Sequence, residues 1–102
     1  MAILTALVEM STKVQTDLVT ASSGKIIRVT GVFITAAGTS TVQFKSAGDS
    51  DRTGEMPISV GSPIMACKDG GLFETGVGDR LTLDNGAAVA IGGWITYELA
   101  GF

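Results

Sequence analysis

Histidine is absent from this chain, and cysteine occurs once, at Cys67. Together these facts remove Ser-His-Asp and Cys-His nucleophiles, His-ligated metal centres and thiolate metal sites, each of which needs an imidazole or several thiols. What chemistry remains would rest on carboxylates, Lys or Tyr. The densest acidic stretch, Asp49-Ser50-Asp51-Arg52-Thr53-Gly54-Glu55, begins like a calcium loop. Its twelfth position, which should carry a bidentate Glu, is Val60, and no helical pattern flanks it. It reads as a solvated polar loop that keeps an edge strand from pairing. Lys68-Asp69-Gly70-Gly71 and Gly76-Val77-Gly78-Asp79 lack phosphate-cradle spacing and open no helix, so both read as turns. Glu74 and Asp79 would make a carboxylate pair of the glycosidase kind only if they faced one cleft. The expected arrangement has them capping turns or pairing with Arg80 and Lys68. Trp94, Tyr97, Phe73 and Phe102 could form a sugar platform, but Trp94 and Tyr97 have opposite parity in a strand. Core or interface anchoring is the favoured role for these rings. The reading predicts no catalytic residue, no cofactor and no metal.

The elements that would position these residues are strands. Leu81 and Leu83 alternate with Thr82 and Asp84, Asp84-Asn85-Gly86 supplies a turn, and the chain continues through Val89, Ile91, Ile95, Tyr97 and Leu99. This predicts a long hairpin over 79–99, with Gly92-Gly93 marking a bulge, a bend or a close backbone approach. Lys25 to Ala36 is the strongest other strand. Its apolar residues fall on both faces, as expected of a central strand covered on its second side. Val42 and Phe44 alternate with Thr41, Gln43 and Lys45, so 25–46 reads as a second hairpin. Pro57 places Glu55–Val60 at a sheet edge. Residues 13–20 read as a first strand, while 2–10 are either a strand or an arm packed on a neighbouring subunit. Turn signals every 8–12 residues, with no helical period, predict an all-β antiparallel β-sandwich of about eight short strands. The 102 residues make one domain.

Composition points outward. Hydrophobic residues are 45% of the chain and charged residues 17%, and mean hydropathy is +0.40. No uncharged run reaches the roughly 18 residues of a membrane helix, and the longest are broken by Gly and Thr, so no membrane partner is expected. Surplus apolar surface is most readily covered by contact between copies, which predicts an oligomer. The net charge is −3 and the basic residues are scattered singly, which argues against nucleic-acid binding. The apolar start lacks a basic n-region, so no export signal is read. The lone thiol of Cys67 excludes an intrachain disulfide and suits a reducing compartment, where it is expected to be a half-buried small hydrophobe.

An ordered set of short segments carries a resemblance. It comprises Ile26-Ile27-Arg28-Val29, Ala36-Ala37-Gly38, Val42-Gln43-Phe44-Lys45-Ser46, Phe73-Glu74-Thr75, Gly78-Asp79-Arg80-Leu81-Thr82-Leu83, Ala88-Val89-Ala90-Ile91-Gly92-Gly93 and Ile95-Thr96-Tyr97. This order resembles small β-sandwich virion proteins of tailed bacteriophages and spans most of 25–99. The resemblance implies a jelly-roll-like sandwich serving as a capsid decoration (cement) protein. It implies a homotrimer in the virion, with the major capsid protein as partner. A head-fibre or tail module, including a receptor- or carbohydrate-binding tip, is the alternative. Residues 1–24 fall outside the match, and 1–12 are a candidate N-terminal arm. The candidate contact residues are Ile3, Leu4, Leu7 and Val8, then Met56, Ile58 and Met65, then Leu99 and Phe102.

Overall fold

The period-two patterning builds ten strands in the computed structural model, which describes residues 3–101. They are β1 (Leu4–Met10), β2 (Gln15–Val19), β3 (Lys25–Ala36), β4 (Ser40–Ser46), β5 (Ser50–Asp51), β6 (Met56–Ile58), β7 (Ile64–Cys67), β8 (Phe73–Glu74), β9 (Leu81–Asn85) and β10 (Ile91–Gly101). Two antiparallel sheets pack face to face. The first runs β1-β10-β3-β7 with β8 also on β3, and the second runs β2-β9-β4-β5 with β6 also on β4. β5 and β6 share one place beside β4, as β7 and β8 do beside β3, so the ten strands fill eight positions. Apart from the β4–β5 turn, every step between positions crosses from one sheet to the other, which is jelly-roll order.

Neither expected hairpin forms. β3 and β4 lie in different sheets, as do β9 and β10, so 37–39 and 86–90 are crossings. Gly, Asn and Ser mark where a chain reverses. They do not say whether the next strand lands beside its predecessor or across the interior. Here the inward apolar faces settle the matter, because Leu81 and Leu83 on β9 and Ile91 and Ile95 on β10 join one core from opposite sheets. The pairing of β6 with β4 alone agrees with the edge position read from Pro57.

The two apolar faces of β3 have a local cause. Thr96 of β10 pairs with Gly31 while Tyr97 pairs with Val29, leaving Thr30 as an extra residue, a β-bulge. The bulge reverses parity, so Ile27 and Val29 face the core on one side of it and Val32 and Ile34 on the other. Ile26 and Phe33 stay outside that cluster, Ile26 buried and Phe33 half-buried. At Gly93 (φ 141°) a Cβ would overlap the Phe33 carbonyl of β3, so the paired glycines serve a close backbone approach.

Phe44 is fully enclosed in this core, its ring 5.0 Å from that of Phe73. Val8 and Ile58, expected at contact surfaces, are core residues with 2% exposure each. Leu99 and Met56 are half-buried against the same core, and Phe102 lies outside the described residues. Segment 4–10 is the edge strand β1, paired with β10 over its whole length, from Leu4 opposite Tyr97 to Met10 opposite Ile91.

Polar side chains close the crossings. The buried Asn85 amide donates to the carbonyls of Thr12 (3.1 Å) and Val89 (3.0 Å), and its Oδ1 accepts from Ser40 Oγ at 2.6 Å. One side chain thereby ties the β1–β2 connection, the β9–β10 crossing and the start of β4. Elsewhere Ser46 Oγ accepts from the Gly76 N–H (3.0 Å) and donates to Asp79 Oδ2 (2.9 Å), fixing the approach to β9.

Candidate functional site

The registers of the first sheet align four apolar side chains across its outer face. Leu7 of β1 lies opposite Trp94 of β10, Trp94 opposite Phe33 of β3, and Phe33 opposite Met65 of β7. All four face away from the core because their chain neighbours, such as Val8, Ile95, Val32 and Ile34, face into it. Leu7 and Met65 are each 74% exposed and Trp94 43%, while Phe33 is half-buried. The Trp94 and Phe33 rings are 5.8 Å apart and tilted by 32°, an offset aromatic pair in reach of solvent. The flanking registers are small or polar: Glu9, Gly92 and Thr35 on one side, Thr5, Thr96, Gly31 and Cys67 on the other. With glycines beside them, the rings stand proud of the sheet.

The opposite outer face is polar. Lys45 Nζ lies 3.1 Å from Asp84 Oδ2 and 3.8 Å from Asp51, and Arg80 pairs with Asp17 at 3.0 Å. The hydrogen bond to Asp84, reinforced by its charge, raises the Lys45 pKa above the ordinary lysine value. Asp84 Oδ1 is enclosed without a hydrogen-bond partner. Lys45 and Asp84 line a cleft of about 290 Å³ with Lys13, Gln15, Gln43 and Glu55. Below the apolar row, Arg28 reaches Glu74 (3.1 Å) and Glu98 (3.0 Å), and these hydrogen bonds raise its pKa.

The sequence-derived candidates scatter accordingly. Glu74 is paired with Arg28 and Asp79 with Ser46, so the two carboxylates answer to different partners, and neither pairs with Arg80 or Lys68. Asp51 sits in β5 beside Lys45. Among the described residues no group of three or more His, Cys, Asp or Glu is placed to hold a metal. Of the four rings weighed as a sugar platform, Phe73 and Tyr97 pack against the core, the favoured role, Phe102 lies outside the described residues, and Trp94 faces outward, joined by Phe33. Cys67 is exposed rather than half-buried. Leu7 and Met65 were already contact candidates, and the row brings them together with Trp94. Phe33 was missed as a contact residue. Its signal was its parity relative to Val32 and Ile34, which the β3 bulge conceals from a strict alternation. No protein-family model, curated protein or solved structure matches the chain.

Proposed function

We propose that this protein is a non-enzymatic virion structural protein, a decoration protein that seats the outer face of its first sheet on the surface of a phage head. The row Leu7–Trp94–Phe33–Met65 carries the reading. A row of four apolar residues, two of them aromatic, on one outer face with an ion-paired opposite face suits a module that binds by one side and meets water with the other. The jelly-roll order is consistent with the resemblance of 25–99 to phage virion sandwiches. On a shell, many identical contacts of modest area act together through effective concentration, so each molecule needs only a limited patch.

The test adds purified protein to expanded, undecorated heads built from the major capsid protein encoded with it. Saturable, stoichiometric binding and a higher head melting temperature are the expected result, both lost in Trp94→Asp. Absence of saturable binding by the natural chain would refute the reading. The exposed indole of Trp94 also supports a second reading, a carbohydrate-binding tip. That reading predicts quenching or a shift of Trp94 fluorescence by cell-surface glycans without any head present.

A further inference from the structure

Each sheet has two edges, and three of the four are defended against pairing. On the second sheet, β2 carries Asp17 and a bulge at Leu18, and the far edge is broken into β5 and β6 with Pro57. On the first sheet the far edge is split into the four residues of β7 and the two of β8. The fourth edge, β1, is seven residues long, paired without a register shift, free of proline, and carries one charge, Glu9. Among the described residues its outer side meets no other strand.

We propose that a second copy of this chain pairs with β1, antiparallel and about a two-fold axis through Leu7. Strand pairing keeps side-chain faces matched only when paired residues share parity. Centring on the strand's midpoint pairs all seven residues in that way. Leu7 meets its own copy, Ala6 meets Val8, Leu4 meets Met10, and Glu9 meets Thr5, so the single charge never faces its like. The exposed Leu4 is thereby covered on the core side. The two apolar rows join into one, with Trp94 of both copies on the same side. The contact is isologous and closes with two copies, not three. This inference goes beyond the shell reading and stands without it.

The test is light scattering with site-directed cross-linking in a Cys67→Ser background. The chain is expected at twice its 10.4 kDa mass. Leu7→Cys is expected to give a disulfide-linked dimer on mild oxidation, because opposed strand residues lie within the Cα separation a disulfide needs. Thr5→Cys alone gives little, and Thr5→Cys with Glu9→Cys restores linkage. Leu7→Lys sets two ammonium groups face to face and gives monomer, with near-ultraviolet circular dichroism confirming the fold. A natural chain that is monomeric or trimeric at tens of micromolar would overturn the proposal. So would Thr5→Cys cross-linking as well as Leu7→Cys.

Discussion

Gly93 and Ala47 show how far single residues are readable. At Gly93 any Cβ runs into the Phe33 carbonyl, and the backbone already holds φ at 141°. Gly93→Ala is expected to cost about 2 kcal/mol or more, through a forced shift of β10 against β3, measured by urea unfolding. The paired glycines made this position legible in sequence. Ala47 was not legible, because alanine carries no turn signal. It nevertheless adopts φ 57° beside Gly48 at φ 82°, positive at both central positions of the β4–β5 turn. Ala47→Gly or Ala47→Asn is expected to stabilise the fold by about 0.5–1 kcal/mol, seen as a higher urea midpoint with unchanged slope. Asn85 reads as a turn former in sequence and is instead a buried tie between three chain segments. In Asn85→Asp an acceptor replaces the amide donor against two carbonyls. The expected loss is about 3 kcal/mol or more at neutral pH.

Strand identity followed from alternation, and Lys25–Ala36 matches β3 residue for residue. Strand partnership did not follow. A two-residue period specifies a strand and its inward face, while the neighbour across the ladder depends on loops reaching over the core. The β3 bulge adds a second limit, because one unpaired Thr30 turns a half-buried strand into one that looks buried on both faces. The charged strand β4 offers a pH test. Lys45 has a raised pKa because it is bonded to Asp84, so its contribution to stability is complete below the unfolded lysine value of 10.5. It is lost as pH rises through the higher folded value. Between pH 9 and 12 the gap in melting temperature between the natural chain and Lys45→Met should narrow. A gap independent of pH would show that the ammonium charge contributes nothing.

At the scale of the molecule, the surplus of apolar residues seen in composition resolves into a place. Its largest aligned share is the outer face of the first sheet, where Leu7, Met65 and Trp94 are exposed, opposite a face built of Lys45, Asp84, Arg80 and Asp17; Val14, Val60 and Val77 are exposed elsewhere. Composition disclosed the excess but not its location, since only register brings Leu7, Trp94, Phe33 and Met65 into line from four separate strands. Trp94 is the chain's single tryptophan, which makes its emission a direct reporter of that face. The measurement that bears most directly on the account is Trp94 fluorescence during titration with expanded, undecorated heads. The account predicts a blue shift that saturates at a fixed ratio of protein to capsid subunits, together with protection from acrylamide quenching, as the indole leaves water. An emission maximum and quenching constant that stay unchanged while the protein binds would place the contact elsewhere and contradict it.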